Sequence, residues 1–277
     1  MVIHVITACH NRKKTTQRLV KNLKEQTVSD MIHLILVDDG STDGTAEMVK
    51  KEMPESTVIK GNGNLWWGGA LHKAYEWIIK NNISNEDVVF FTNDDNEYST
   101  VYLEDTLDRL KLNPNTLIAG NGFSMKTGEQ LDGVSWCDLK TGDITLLGTD
   151  ATGNLASTRA LMMRVGDLKK IGGFHPILLP HYLSDYEFVL RASKKGLKVK
   201  TYDNLRYEYD NTLTGAKDYK KLTLKVLFSK KCPYNPIYKM IYLFMITPVK
   251  YMPVRFVNQI KNNKKQLGKL IQEKSEK

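Results

Sequence analysis

A chain of 277 residues with 41% hydrophobic and 26% charged side chains has the composition of an ordinary globular protein and can bury one large core with a smaller appendage. Its three cysteines, Cys9, Cys137 and Cys232, are odd in number and far apart, which argues against a disulfide framework or a thiolate metal site and predicts free thiols in a reducing cytosol. The formal charge of +9 is concentrated: residues 217–277 carry 15 Lys/Arg against three Asp/Glu, a net of +12, which leaves −3 on the first 216 residues and argues against nucleic acid as a partner.

The N-terminus lacks the basic segment and long apolar core of a secretory signal, and enters a strand at Val2–Ala8. A helix is predicted from Lys13 to Gln26, with Leu19, Val20 and Leu23 on one side, then a strand at His33–Val37 that ends in Asp38-Asp39-Gly40-Ser41. Thr42 to Lys51 reads as a helix with Ser41 or Asp43 as its N-cap, Val58–Lys60 as a third strand, and Ala70 to Lys80 as a helix burying Leu71, Ala74, Tyr75 and Ile78. A fourth apolar run, Asp87–Thr92, ends in Asn93-Asp94-Asp95-Asn96. The segment 121–150 suggests hairpins, Ala156–Val165 another strand, and Asp167–Lys170 the start of a short helix. Ser184–Lys195 is a helix with Phe188, Val189 and Ala192 buried. No stretch reaches the ~18 uninterrupted apolar residues of a spanning helix. The best candidate, Ile237–Val257, is broken by Lys239, Pro248, Lys250, Pro253 and Arg255.

Apolar strands that do not alternate, spaced by helices, predict an α/β fold with a Rossmann-like, mostly parallel sheet covered on both faces. Ligands bind such sheets beyond the carboxyl ends of the strands. Thr7–Arg12 (with Ala8), Asp38–Ser41 and Asn93–Asn96 all sit there and converge on one crevice.

Each cluster has a plain reading and a chemical one. Asn93-Asp94-Asp95 is either a solvated turn or a strand-end pair of carboxylates suited to Mg²⁺ or Mn²⁺, hard cations that bridge to phosphates. Asp38 and Asp39 exceed what a cap requires and can accept from a base N–H or a ribose hydroxyl. In Gly61-Asn62-Gly63-Asn64-Leu65-Trp66-Trp67-Gly68-Gly69, glycines before a helix allow close backbone approach and free N–H groups for a phosphate or ribose. The paired tryptophans serve either as core anchors or as stacking surfaces for a sugar. Asp185 is either a helix-start residue favoured by the macrodipole or a general base, with Glu187 beside it. His181 lies close by and is a candidate acceptor-binding residue.

In order and approximate spacing, Thr7-Ala8-Cys9-His10-Asn11-Arg12, Val37-Asp38-Asp39-Gly40-Ser41, the Gly/Asn loop, Asn93-Asp94-Asp95, Gly172-Gly173-Phe174 and Ser184-Asp185-Tyr186-Glu187 with Arg191 resemble family-2 glycosyltransferases of the GT-A fold over residues 1 to 210. The resemblance implies a nucleotide-binding half (1–100) and an acceptor-binding half (101–216); the change to aromatic-plus-basic composition after Lys217 marks a basic aromatic helical extension (217–277). Thr7, Ala8, Arg12, Gly63, Asn64, Trp67, Gly69 and Asn93 would line the donor. Asp38 or Asp39 would contact the base, and Asp94 would lie near the ribose or diphosphate. Asp95 would hold the metal and Asp185 would be the base of an inverting reaction, with Trp66, His181 and Glu187 toward the acceptor. Asn93 and Ser184 stand where many members carry acids.

The expected activity is transfer of a sugar from a nucleotide diphosphate, UDP or dTDP (as in rhamnosyl transfer), to a glycan or lipid-linked saccharide in cell-surface polysaccharide synthesis. A sugar nucleotidyltransferase or a non-catalytic carbohydrate-binding protein is the competing class. The basic aromatic stretch 217–260 suits an anionic membrane surface, which would put a cytoplasmic enzyme on the inner face of the plasma membrane. It equally suits packing on the catalytic domain or on a second copy in a homodimer.

Overall fold

The computed structural model describes residues 1–211 and 223–275. The boundary expected near residue 216 lies outside the described residues. The first half runs β1 (Ile3–Cys9), α1 (Lys13–Lys24), β2 (Ile32–Asp38), α2 (Thr45–Glu52), β3 (Thr57–Lys60), α3 (Trp66–Lys80), β4 (Val88–Thr92), β5 (Asn96–Tyr98) and α4 (Tyr102–Leu112). Then come β6 (Thr116–Ala119), β7 (Asn121–Ser124), β8 (Gln130–Asp132), β9 (Ser135–Cys137), β10 (Ile144–Leu146), β11 (Ala151–Gly153), β12 (Ala160–Arg164), α5 (Val165–Ile171), α6 (Ser184–Lys194), β13 (Lys198–Thr201) and β14 (Arg206–Tyr209). The extension holds α7 (Leu224–Leu227), α8 (Pro236–Ile246) and α9 (Met252–Ser275).

An eight-stranded sheet has the order β11-β13-β6-β12-β4-β1-β2-β3, with β12 antiparallel to both of its neighbours and β11 antiparallel to β13. The β1–β2 register pairs Ile3 with Ile32 through Cys9 with Asp38, so both strands end at the same level. The missing alternation in the sequence is explained by two cores. Ile6, Ile35, Val37 and Phe91 face α3, α5 and α6, whereas Val5, Leu34, Leu36 and Phe90 face α1, α2 and α4. Each such fully buried side chain stabilises the fold by roughly 1.5–3 kcal/mol. A smaller sheet, β5-β14-β7-β8, stands beside the carboxyl edge of the large one.

Two helix starts differ from expectation. α2 begins at Thr45, where Asp43 Oδ1 accepts the Thr45 amide at 3.1 Å, so Asp43 and not Ser41 holds that end. α3 begins at Trp66, so both tryptophans stand in its first turn and not in a loop. The reason is Gly68, whose amide donates to Pro180 O at 2.9 Å and where a Cβ would lie 2.6 Å from Leu179 O. Both glycines are helical, and Gly68 serves close packing.

The extension packs on the preceding α/β region: Tyr242 and Ile246 of α8 join Leu179, Leu190, Leu155 and Cys137 in a third core. Arg255 of α9 lies over Gly142, where a Cβ would fall 1.9 Å from its Nη1. All three cysteines are free and buried.

Candidate active site

β1 pairs with β2 on one side and β4 on the other, and the chain order reverses there, so a crevice opens at the carboxyl ends of β1 and β4. Across it, Arg12 holds Asp94: Nε donates to Oδ2 at 2.9 Å, and Nη2 forms an ion pair with Oδ1 at 2.9 Å. Thr16 Oγ1 donates to the same Oδ2 at 3.1 Å. Burial pushes the Asp94 carboxyl above its usual range while Arg12 opposes the rise. Both residues were expected along the donor; the structure pairs them with each other, and Arg12 Nη2 also reaches to 3.6 Å from Asp95 Oδ2.

Asp95 is fully buried. Its Oδ1 accepts from Arg159 Nη1 at 3.0 Å, whereas Oδ2 has no hydrogen-bond partner. Arg159, just before β12, is anchored to the 93–96 loop by its backbone carbonyl, which accepts from Asn93 N at 3.2 Å and Asn96 Nδ2 at 2.7 Å. Its guanidinium lies 4.2 Å from the centre of the Tyr209 ring, and its Nε is 3.8 Å from Asp132 Oδ2, which also accepts from Tyr207 OH at 2.8 Å. Asp132, Arg159, Tyr207 and Tyr209 were not found in the sequence. They come from the end of β8, the residue before β12, and β14, and form no contiguous motif.

A buried carboxylate oxygen without a hydrogen-bond partner is a fitting hard ligand for Mg²⁺ or Mn²⁺. Among the described residues no three His, Cys, Asp or Glu side chains converge on a metal position. Asp95 Oδ2 is therefore the atom this chain would offer, leaving the remaining positions to phosphate and water.

Asp38 Oδ1 accepts from Ser41 N at 2.8 Å. Asp39 turns toward the glycine loop: Oδ1 accepts from Gly63 N at 2.8 Å and Oδ2 from Leu65 N and Trp66 N at 2.9 and 3.2 Å. Asn62 takes the Asn64 amide at 3.0 Å. The loop amides expected to be free for a phosphate are thus donated to Asp39 and, for Asn64, to Asn62, and Asp39 acts as the cap of α3. Asp39→Ala removes one acceptor from three amides and is expected to destabilise the fold by about 2 kcal/mol. A thermal unfolding midpoint unchanged from wild type would refute that role.

Thr7 is buried within β1 with its hydroxyl unpartnered, and Ala8 packs on the core. Trp67 Nε1 donates to Thr158 Oγ1 at 2.9 Å, the anchoring role of its two expected alternatives. Gly69 is buried in α3. Trp66, held at φ +58°, faces His181, with ring centres 5.6 Å apart.

Asp185 occupies the first turn of α6, next to Leu183 at φ +69°. That left-handed residue precedes the first turn of the helix, and Ser184 Oγ secures the turn by donating to His181 O at 2.6 Å. Burial raises the Asp185 carboxyl to about 6, helped by the negative charge of Asp132 and opposed by the Tyr186 amide and Arg159. A carboxyl poised there is a suitable proton acceptor near neutral pH. Glu187 is otherwise occupied: both oxygens hold Arg191, at 2.8 and 3.0 Å, and Arg191 also donates to Ile171 O and Gly173 O. That pair braces the loop before α6.

Residues 4–168 match the family described as Glycosyl transferase family 2. A search of the curated proteins finds no match. Among solved structures, the mannosyltransferase PcManGT of Pyrobaculum calidifontis, in complex with GDP-Man and Mn²⁺, is similar at 16% identity and TM-score 0.55, over 92% of this chain and 73% of that one. GalNAc-T7 with UDP, GalNAc and Mn²⁺ (12%, TM-score 0.59) aligns with 76% of this chain, and TarS of S. aureus (18%, TM-score 0.57) with 82%. This chain spans 44% of the length of the former and 38% of the latter.

Proposed function

Because the chain belongs to glycosyl transferase family 2 and has the GT-A fold, we propose that it is an inverting enzyme that transfers a sugar from a nucleotide diphosphate, UDP by preference, to a glycan or lipid-linked saccharide in cell-surface polysaccharide synthesis. The observation that carries this reading is Asp185, with its pKa raised to about 6, in the electrostatic field of Asp132 and Arg159 at the carboxyl edge of the sheet. Its carboxylate takes the proton of an acceptor hydroxyl as that oxygen bonds to the anomeric carbon. The bond from that carbon to the diphosphate oxygen breaks on the opposite face, its electron pair leaving with the nucleotide, and the anomeric configuration inverts. Asp95 Oδ2 would hold Mn²⁺ or Mg²⁺, which would supply charge neutralisation for the diphosphate. Arg12 and Arg159 keep Asp94 and Asp95 in place, and Asp38 is the base-contacting candidate that remains once Asp39 is assigned to the loop.

Among the described residues no helix is long and apolar enough to cross a membrane. The extension nonetheless exposes Phe228, Ile237, Phe244, Val249 and Phe256, and residues 219–272 contain no Asp or Glu. An apolar surface with only positive charge favours an anionic membrane over a second, equally basic copy, and supports a place for the enzyme beside a lipid-linked acceptor.

The test is a panel of nucleotide sugars with Mn²⁺, followed by NMR of the product. The anomeric configuration is expected to be opposite to that of the donor. Retention would overturn the single-displacement reading, and absence of transfer from every sugar nucleotide would overturn the activity.

A further inference from the structure

The carboxylate that offers an oxygen to a divalent cation is already faced by two positive charges. Arg159 Nη1 donates to Asp95 Oδ1 at 3.0 Å, and Arg12 Nη2 stands 3.6 Å from Oδ2, the oxygen without a hydrogen-bond partner. Arg12 Nη2 is itself buried. It ion-pairs with Asp94 Oδ1 at 2.9 Å, yet meets hydrogen-bond geometry with neither acid. A buried donor and a buried acceptor thus face each other across a gap too long for a hydrogen bond. Leaving either unmade is costly. Together they mark one point where a cation and an anion arriving as a pair would each find a partner.

The charges decide what can settle there. Asp94 and Asp95 bring two negative charges and Arg12 and Arg159 two positive ones, so the free carboxylate oxygen stands in a neutral quartet. Asp132, 3.8 Å from Arg159 Nε, adds a negative charge on the Arg159 side, which leaves Arg12 as the cation over Oδ2. Arg12 is fixed in that place, because its Nε donates to Asp94 Oδ2 at 2.9 Å and Thr16 Oγ1 supports the same oxygen at 3.1 Å. A free dication at Oδ2 meets that guanidinium at close range, where Coulomb repulsion is strongest. The same ion chelated by a nucleoside diphosphate arrives as a complex of net negative charge.

We infer that Arg12 sets the form in which the metal is taken up: it disfavours the free cation at Asp95 and admits the cation as its complex with a nucleoside diphosphate. The phosphate oxygens of that complex are suitable acceptors for the unsatisfied Arg12 N–H. This rests on the donor being a nucleotide diphosphate sugar. By linkage, the nucleotide tightens metal binding by the same factor as the metal tightens nucleotide binding.

Equilibrium dialysis of the full chain against Mn²⁺ tests this by measuring protein-bound metal, alone and with saturating UDP or dTDP. Wild type is expected to hold Mn²⁺ at least about tenfold more weakly without nucleotide, within the usual span of such couplings. Arg12→Gln removes the charge and keeps an amide N–H for Asp94. It is expected to bind Mn²⁺ alone about tenfold more tightly than wild type, roughly what one charge beside a dication is worth even in a water-like dielectric. Arg12→Lys keeps the charge and is expected to bind free Mn²⁺ as weakly as wild type. In the double variant Arg12→Gln/Asp95→Asn the gain is expected to vanish, which locates it at Asp95. Wild type that holds Mn²⁺ equally with and without nucleotide would overturn the inference with no variant needed. So would an Arg12→Gln that gains nothing, an Arg12→Lys that gains as much, or a gain that survives in the double variant. If wild type takes up Mn²⁺ with UDP or dTDP while Arg12→Gln gains nothing, the inference falls and the nucleotide reading stands. If wild type binds neither nucleotide with Mn²⁺, both fall.

Discussion

Asp185→Asn is expected to lower kcat by roughly 10³-fold, within the range for loss of a general base, while the donor dissociation constant stays within about twofold. The change keeps size and removes only the ability to take a proton. In wild type the rate should rise with pH through about 6 and level off above it, because the carboxyl, raised to about 6 by burial and Asp132, must be ionised to act. The sign for stability is the reverse. The folded carboxyl holds its proton up to about pH 6, whereas the unfolded one releases it near 3.8. Between those values the unfolded state is progressively favoured, and above pH 6 the full penalty is present. Asp185→Asn should therefore be no less stable than wild type at pH 7 to 8, which separates lost chemistry from lost folding. Full activity in the variant, or a wild-type profile flat from pH 5 to 8, would refute the assignment.

Asp95→Asn is expected to abolish the metal dependence of donor binding. The loss should be at least the ~10–100-fold that follows removal of a mere outer-shell partner of a metal. Asparagine is the informative change because its carbonyl can still accept from Arg159. Alanine would leave that buried guanidinium without its 3.0 Å partner, at a cost of about 3–5 kcal/mol. Calorimetry with UDP and Mn²⁺, and activity in excess chelator, check the assignment. A variant that binds UDP with unchanged Mn²⁺ dependence, or wild-type turnover that persists in chelator, would overturn it.

The sheet was legible because its strands are buried on both faces, so β1, β2 and β4 appear as unbroken apolar runs, each ending in the polar residues that line the crevice. The positions of Asp95 and Asp185 were legible because each stands at a predicted element boundary; their roles are proposals. What residue types do not disclose is which partner takes each oxygen. Asp39 and Glu187 have the chemistry of ligand-binding acids, but the amides of Gly63, Leu65 and Trp66 and the guanidinium of Arg191 occupy them. Arg159 and Asp132 were illegible because they meet only through the pairing of β12 with β4 and the approach of the smaller sheet. These contacts leave no local pattern. Gly68 misled in the other direction, since glycine chosen for helix packing has the same appearance in sequence as glycine chosen for a turn.

The three buried thiols have a practical consequence. Cys9 closes β1 beside Asp38, Cys137 lies beneath α8, and Cys232 follows Lys231 in the connector that crosses to Trp66. One reporter therefore sits at the end of β1, one under the docked extension, and one in the connector beside Trp66. Burial pushes the Cys9 and Cys137 thiols up, so an alkylating reagent meets them as unreactive thiols until the surrounding structure opens. The native chain thus carries its own site-resolved probes of local opening, readable by peptide mass after a labelling pulse without introducing a single foreign residue.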